Sequence, residues 1–291
     1  MVATALQRGT TITCMQRTEC RGGSRALSNG FAGAFDSRPL ALARRIPRSI
    51  GQAMQRVRIG VGNLARQALP QCCALCTAAA GDALLCGDCS GALPRLAAPC
   101  PRCALPTAGA IECGACLRSP PPFLSTLAVY RYAFPVDRLL QRLKYSGALA
   151  LADWAAAALA QRVVAQAGEE ASLPGVLVAL PLAPVRQRER GFNQAYEITR
   201  RVAPRVGIPA AMLLERVKSG PPQAALPWSG RAANVRGAFA CRGDVRGRNI
   251  ALVDDVMTTG ATIAEAARAL RRGGAASVVV WVIARTLPPG Q

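Results

Sequence analysis

The sequence predicts an α/β fold, with a parallel sheet flanked by helices and a small cysteine-rich module in front of it. Two observations predict this arrangement. After residue 122, short apolar runs alternate with helical stretches, which is typical of a parallel sheet covered on both faces. Nine of the twelve cysteines lie between residues 72 and 116, ahead of the first apolar run. We therefore divide the chain into residues 1–65, 70–119 and 123–287.

The N-terminal residues differ in composition from the rest of the chain. Residues 1–53 hold eight arginines against Glu19 and Asp36, with many Ser, Gly and Thr residues and little periodicity. A targeting peptide or a nucleic-acid-binding arm has this acid-poor balance. A disordered extension, or a true start at Met54, explains it equally simply. We expect residues 1–65 to be a disordered extension.

The chain carries a net charge of +20 and contains no histidine. The charge favours polyanionic partners such as nucleic acid or phosphorylated ligands, although an arginine-rich genome would produce the same balance. The missing histidine excludes Ser-His and Cys-His catalytic pairs and histidine metal ligands. Any zinc site must therefore be built mainly from cysteine.

Eight cysteines of the module form four C-x-x-C pairs. A spacing of two residues lets both thiolates of a tight turn face one tetrahedral ion. A disulfide framework requires an oxidising compartment, and a redox C-x-x-C usually occurs once, so zinc is the favoured interpretation. We expect two structural Zn²⁺ ions with sequential ligand sets, although a cross-braced pairing is also compatible with the spacing. The expected sets are Cys73, Cys76, Cys86 and Cys89, and Cys100, Cys103, Cys113 and Cys116.

The elements of the α/β domain follow from apolar runs and helical periodicity. Strands are predicted at Leu127–Tyr132, Val176–Leu180, Ile250–Val253 and Ser277–Ile283. Helices are predicted at Val136–Gln166 with a break near Gly147, at Asn193–Val202 and at Ala264–Arg271. No apolar stretch approaches the roughly 18 residues that a membrane span needs, so no membrane insertion is expected.

The segment from Ile250 to Thr262 is the strongest candidate for a binding site. An apolar strand is predicted to end in Asp254 and Asp255, and a loop with threonines and Gly260 leads into a helix. Backbone N–H groups at such a helix start bind anions. Adjacent carboxylates can accept hydrogen bonds from two neighbouring ribose hydroxyls. The alternative is an ordinary acidic strand end with a capping threonine. The phosphate-binding candidates are Val256, Met257, Thr258, Thr259, Gly260, Ala261 and Thr262, with Asp254 and Asp255 as catalytic candidates.

Two further polar clusters flank this segment. Arg186, Arg188 and Arg190 follow a predicted strand and offer cationic donors for a pyrophosphate or for nucleic-acid phosphates, unless they form only a solvated loop. Residues 216–234 are rich in Gly and Pro at their start, and they are predicted to form either a mobile lid or a plain surface loop.

The order Asp-Asp, apolar, x, Thr-Thr-Gly, x, Thr resembles the PRPP-binding motif of type I phosphoribosyltransferases. Over about residues 70 to 286, the chain resembles the ComF family of competence proteins. The matching features are the double cysteine module, Leu143-Lys144-Tyr145 with Gly147, Arg190-Gly191-Phe192-Asn193-Gln194, the PRPP motif, and Gln223 with Leu226, Arg231 and Asn234.

The resemblance implies a double zinc ribbon followed by a type I phosphoribosyltransferase-like domain in a bacterial cytoplasmic protein. It implies binding of PRPP with Mg²⁺, contacts from Lys144 and Gly191 to the ligand, and a role with DNA-uptake proteins in handling single-stranded DNA during natural transformation. The alternative is an active Mg²⁺-dependent phosphoribosyltransferase of nucleotide or related metabolism. The family often has histidine where Ala183 stands and threonine where Gly220 stands, and both departures weaken the catalytic alternative more than ligand binding.

Overall fold

The computed structural model describes residues 71–166, 173–218 and 235–288, and the observations below refer to these ranges. The predictions for the N-terminal extension and for Gly220, Gln223, Leu226, Arg231 and Asn234 lie outside the described residues.

Four strands form one parallel sheet in the order β1-β6-β5-β2. They are β1 (Thr126–Arg131), β2 (Val176–Ala179), β5 (Asn249–Met257) and β6 (Ser277–Arg285). A separate antiparallel pair consists of β3 (Leu214–Arg216) and β4 (Phe239–Cys241). The parallel α/β fold expected from the sequence is confirmed. The pair β3–β4 was not predicted, because strands of three residues leave no readable alternation.

Helices of the α/β domain connect the strands and cover the sheet, and short helices in the cysteine-rich module precede them. The helices are α1 (Gly87–Gly91), α2 (Gly114–Arg118), α3 (Val136–Ser146), α4 (Ala150–Gln166), α5 (Pro184–Arg190), α6 (Gln194–Val206) and α7 (Ala261–Arg272). The predicted break near Gly147 separates α3 from α4, and Gly147 adopts a left-handed conformation with φ of 62°. Helix α5 was missed because it buries no residue, so its sequence carries no apolar period.

The core lies on both faces of the sheet. On one face, helices α3, α4 and α6 pack on alternate strand residues such as Ala251 and Val253. On the other face, α7 and the β3–β4 pair pack on the intervening residues Ile250 and Leu252. Burial on both faces explains why these strands appear in the sequence as continuous apolar runs.

Strand β5 differs from its prediction in length. It does not end at Val253 but continues through the two aspartates to Met257, with Asp254 opposite Val282 and Met257 opposite Arg285 in β6. The partner strand β6 also extends to Arg285, two residues beyond its predicted end, and supplies the pairing. The two acids therefore lie inside the second half of a central strand.

The cysteine-rich module packs along β1, which is an edge strand of the sheet. The backbone N–H of Thr126 donates to the carbonyl of Pro101, and that of Arg131 donates to the carbonyl of Pro94. Within the described ranges, none of the helices combines the length and the apolar character that crossing a bilayer requires.

Candidate functional site

A cleft of about 310 Å³ opens at the carboxyl end of the parallel sheet. Open α/β sheets place their ligands at this end of the strands. The cleft lies where β5 ends and α7 begins, and α3 and α5 border it. Its polar lining residues are Tyr132, Lys144, Tyr145, Arg186, Arg190, Gln194, Arg216, Asp254, Asp255, Thr258 and Thr262.

The acidic wall of the cleft contains a buried ion pair. Lys144 Nζ, from the last turn of α3, lies 2.8 Å from Oδ2 of Asp255, and Asp255 is only 6% exposed. Burial lowers the pKa of Lys144, but the charges of Asp255 and Asp254 outweigh this effect and raise the pKa overall. Lys144 is therefore fixed in its charged form beside the two carboxyl groups.

Asp254 differs from its neighbour in its electrostatics. Burial, followed by the charge of Asp255, raises the pKa of Asp254 well above its usual range, and Lys144 only partly offsets this. Asp254 Oδ1 accepts a hydrogen bond from the backbone N–H of Asp255 at 2.8 Å. A carboxyl group that resists ionisation without a ligand is suited to a partner that brings hydroxyl donors or a cation.

The loop Thr258–Gly260, called the 258–260 loop below, joins β5 to α7. Gly260 caps the helix with φ of +80°, and a Cβ atom there would lie 2.6 Å from Cε of Met257. Thr259 Oγ1 accepts a hydrogen bond from the N–H of Ala261 at 3.2 Å. The loop thus brings the hydroxyl group of Thr258 and the start of the twelve-residue helix α7 to one side of the cleft, which is an arrangement that favours an anion.

The opposite wall is basic. Arg186 and Arg190 extend from α5, and Arg216 extends from β3. Burial and then repulsion from Arg186 lower the pKa of Arg216, and the Arg216 guanidinium lies 5.6 Å from the ring centroid of Phe239. The guanidinium of Arg190 lies 5.2 Å from the ring centroid of Tyr145, which is 71% exposed. Cations held close together without an intervening carboxylate create a site for a polyanion.

Gln194, in the first turn of α6, adds an unpaired donor to the cleft. It is 2% exposed, and its Nε2 atom has no hydrogen-bond partner among the described residues. A buried amide without a partner is costly, so such a group at a cleft indicates that a ligand completes it.

The structure brings most of the predicted site residues into this cleft. Lys144, Arg186, Arg190, Asp254, Asp255, Val256, Met257, Thr258, Gly260 and Thr262 line it, whereas Arg188, Gly191, Thr259 and Ala261 do not. Arg188 and Gly191 are exposed at the end of α5. The polar lining residues that were not among the predicted site residues are Tyr132, Tyr145, Gln194 and Arg216. Gln194 lies within the matched Arg190–Gln194 run, and this was the one signal available for it.

The eight paired cysteines form two clusters. The first cysteine cluster is Cys73, Cys76, Cys86 and Cys89, and the second cysteine cluster is Cys100, Cys103, Cys113 and Cys116, with all sulfur atoms of a cluster within 4.8 Å of one another. This grouping is the sequential one. The Sγ atoms of Cys76 and Cys86 lie 3.6 Å apart, as do those of Cys103 and Cys113. Tetrahedral zinc with bonds of about 2.3 Å requires sulfur separations of about 3.8 Å, so both clusters fit such an ion.

Backbone donors surround these sulfur atoms. The N–H groups of Cys76 and Cys86 lower the pKa of Cys73 to about 6. In the second cysteine cluster, the N–H of Cys113 donates to Cys100 Sγ at 3.3 Å. Hydrogen bonds of this kind favour the thiolate, which is the form that binds a metal.

Comparison with known proteins agrees with this architecture. Residues 191–287 match the phosphoribosyl transferase domain family. DNA utilization protein YhgH of Salmonella typhimurium is 35% identical over 70% of this chain and 91% of its own length. Competence protein F of Haemophilus influenzae is 31% identical over 60% of this chain and 78% of its own. Competence protein ComFC of Bacillus subtilis is 36% identical over 38% of this chain and 45% of its own.

The family of the chain follows from the sequence identity to the first of these relatives and from the share of each chain that is matched. The phosphoribosyltransferase domain and the paired cysteine clusters agree with it. The chain belongs to the ComF family, whose members include the YhgH and competence F proteins.

Proposed function

We propose that the cleft binds the 5-phosphoribosyl group of PRPP or a related phosphoribosyl ligand, and that the protein handles single-stranded DNA in DNA utilisation. The observation that carries the proposal is the meeting of three complementary groups in one cleft. These groups are the carboxyls of Asp254 and Asp255, the 258–260 loop, and the guanidinium groups of α5.

Each group matches one part of the ligand. The carboxyls of Asp254 and Asp255 accept hydrogen bonds from the two ribose hydroxyls. The hydroxyl of Thr258 and the start of α7 bind the 5′-phosphate. Arg186 and Arg190 face the pyrophosphate, for which guanidinium groups are suited because they form paired hydrogen bonds to its oxygens.

A magnesium ion fits the acidic side of this arrangement. Mg²⁺ prefers oxygen ligands and retains several waters, so the carboxyls of Asp254 and Asp255 would hold it through water or through the ribose hydroxyls. When bound with the ligand, the ion neutralises pyrophosphate charge. Lys144 holds Asp255 in place for this contact, and Gln194 supplies a further donor to the ligand.

Calorimetry with PRPP and Mg²⁺ tests the binding proposal. We expect Asp254→Asn combined with Asp255→Asn, and separately Thr258→Val, to weaken binding by roughly tenfold or more. The matched control is Arg246→Ala with Arg248→Ala, two exposed arginines at the opposite edge of the sheet, and it should bind normally. No binding to the unmodified protein would overturn the proposal.

We also propose that each cysteine cluster holds one structural Zn²⁺ ion, which the matching sulfur separations support. A small module with little core of its own depends on metal to fold. Elemental analysis of protein purified without chelator should give two equivalents of zinc per chain. Cys89→Ser or Cys116→Ser should each lower the content to about one equivalent if every cluster binds its ion independently. Less than one equivalent in the unmodified protein would contradict the assignment.

The DNA role rests on the basic wall and on the exposed ring beside it. Arg190 lies next to the Tyr145 ring, and Arg186 and Arg216 line the same cleft. An exposed aromatic ring beside cations can stack an unpaired base while the cations bind phosphate. The names of two relatives, DNA utilization protein YhgH and competence protein F, also support a role with DNA. Affinity for a single-stranded oligonucleotide should fall as salt rises, and Arg186→Ala with Arg190→Ala should flatten that dependence. Arg246→Ala with Arg248→Ala removes the same charge and should have less effect.

The second candidate function is a transferase reaction. It is favoured because Asp254 and Asp255 would lie near the anomeric carbon of a bound ribose. Asp254 and Asp255 would stabilise a cation-like transition state. Mg²⁺-dependent release of pyrophosphate from PRPP, measured with candidate acceptors, tests this reaction. Release no greater than that of the Asp254→Asn, Asp255→Asn variant would reject it, and ligand binding by the same protein would keep the primary proposal.

A further inference from the structure

Arg285 is a buried arginine that none of the site chemistry above uses. It lies at the end of β6 and is 2% exposed. Among the described residues, it forms no ion pair with a carboxylate. A buried cation without a carboxylate partner needs another source of compensation.

The side chain of Arg285 spans two parts of the molecule. Its Nε donates to the carbonyl oxygen of Cys103, a member of the second cysteine cluster, at 2.7 Å. Its Nη1 donates to the carbonyl oxygen of Met257 at 3.1 Å and to that of Thr258. One guanidinium therefore connects a residue of the cysteine-rich module with the segment that forms the 258–260 loop.

These bonds fix the direction of two peptide planes. In a planar trans peptide the carbonyl and the following N–H point to opposite sides. Because the carbonyls of Met257 and Thr258 face Arg285, the N–H groups of Thr258 and Thr259 point away from it. The carbonyl of Met257 also accepts the backbone N–H of Thr286 at 3.0 Å, so strand pairing contributes to its orientation. For Thr258, the contact with Arg285 selects the conformation in which the N–H of Thr259 is turned to the side opposite the guanidinium.

The second cysteine cluster offsets part of the cost of burying Arg285. Burial lowers the pKa of Arg285 overall, and the charges of Cys103, Cys116 and Cys113 oppose this effect only in part. Four thiolates around one divalent ion carry a net negative charge, which a bound metal keeps in place.

We propose that Arg285 is a positioning residue through which metal in the second cysteine cluster sets the conformation of the 258–260 loop. Metal holds Cys103 and its negative surroundings in place, Arg285 is held in turn, and the loop is held through its carbonyls. This inference deepens the proposed phosphoribosyl site, and it makes ligand affinity dependent on a metal centre outside the cleft.

Amide hydrogen exchange of the unliganded full chain tests the coupling without relying on ligand binding. Arg285→Met should accelerate exchange across residues 257–261 by roughly tenfold or more, because the Thr258 carbonyl loses its buried donor while that of Met257 keeps only the N–H of Thr286. Arg285→Lys keeps the charge but loses the several N–H donors of the guanidinium, so its exchange rate should lie between those of the unmodified protein and Arg285→Met. Arg271→Met is the matched control, since Arg271 also donates to backbone carbonyls, those of Ala275 and Ala276, and its loss should leave this loop unchanged.

The metal arm of the test distinguishes coupling from a purely structural role. Cys116→Ser, which disables the second cysteine cluster, should accelerate exchange of the loop, whereas Cys89→Ser in the first should not. Adding Arg285→Met to Cys116→Ser should give little further change. The proposal would be overturned if the two cysteine variants changed the exchange rates of the loop equally. It would also be overturned if the effects of Arg285→Met and Cys116→Ser on these rates were fully additive. An unchanged exchange rate of the loop in folded Arg285→Met or Arg285→Lys would overturn it as well. If the unmodified protein fails to bind PRPP while the exchange coupling holds, only the proposed function fails.

Discussion

The buried ion pair between Lys144 and Asp255 gives the sharpest quantitative prediction. The atoms Nζ and Oδ2 lie 2.8 Å apart, and the side chains are 20% and 9% exposed. At that separation, the Coulomb attraction for an effective dielectric constant near 20 is roughly 6 kcal/mol. Desolvation of the two charges cancels much of this attraction, so the net coupling should be about 2–3 kcal/mol.

We therefore expect Lys144→Met to lower the free energy of unfolding by about 3 kcal/mol, because it leaves the Asp255 carboxylate buried without its partner. Adding Asp255→Asn to Lys144→Met should restore part of the loss. Urea denaturation of both single variants and the double variant at pH 7 gives the coupling energy directly.

An exposed ion pair provides the control for this double-mutant cycle. Arg242 and Glu215 also form an ion pair, but their side chains are 66% and 35% exposed, so their coupling should stay below about 1 kcal/mol. If the coupling of Lys144 with Asp255 is no larger than that of the exposed pair, the account of a pre-organised acidic wall is wrong.

Three further predictions concern the loop and its supports. Burial and then the neighbouring carboxylate raise the pKa of Asp254, so above about pH 4 the folded chain keeps a proton that the unfolded chain has lost. The free energy of unfolding should therefore fall as pH rises from about 4 through the raised pKa. Urea denaturation across this range should show a smaller fall for Asp254→Asn. Gly260→Ala should lower stability by about 1–2 kcal/mol and weaken PRPP binding, because φ is +80° and the new Cβ would meet Met257. Glu265→Ala should lower stability by about 2 kcal/mol, since buried Glu265 accepts the N–H of Gly237 at 2.9 Å.

Each of these three predictions has a contrary result. An unchanged pH profile in Asp254→Asn would show that this carboxyl ionises normally. Full stability and affinity in Gly260→Ala would show that the loop does not need its left-handed residue. The control for Glu265→Ala is Glu189→Ala on exposed α5, and equal effects of the two would remove the role assigned to Glu265.

The sequence predicted the parts of this molecule that depend on local pattern. The strands β1, β2, β5 and β6 are short apolar runs, and burial on both faces is what makes such runs visible. Helix α5 was not predicted because all its residues are at least partly exposed. Strands β3 and β4 were not predicted because three residues are too few to show an alternating pattern.

The candidate site was predicted where it is contiguous in sequence and missed where it depends on tertiary contacts. Asp254, Asp255 and the 258–260 loop follow one another along the chain. Arg216 reaches the cleft from a strand that pairs with residues 239–241. Arg285 carried one unused signal, since it is a single arginine directly after seven apolar residues of a buried strand.

The contacts of the cysteine-rich module indicate that it is part of the fold. It supplies the carbonyls of Pro94 and Pro101 to the outer side of β1, which would otherwise be an open sheet edge. It also supplies the carbonyl of Cys103 to buried Arg285. Without the module, both an unpaired strand edge and an uncompensated buried cation would remain. The α/β domain alone should therefore be aggregation-prone, and the second cysteine cluster, which lies outside the cleft, is connected to the 258–260 loop through buried Arg285.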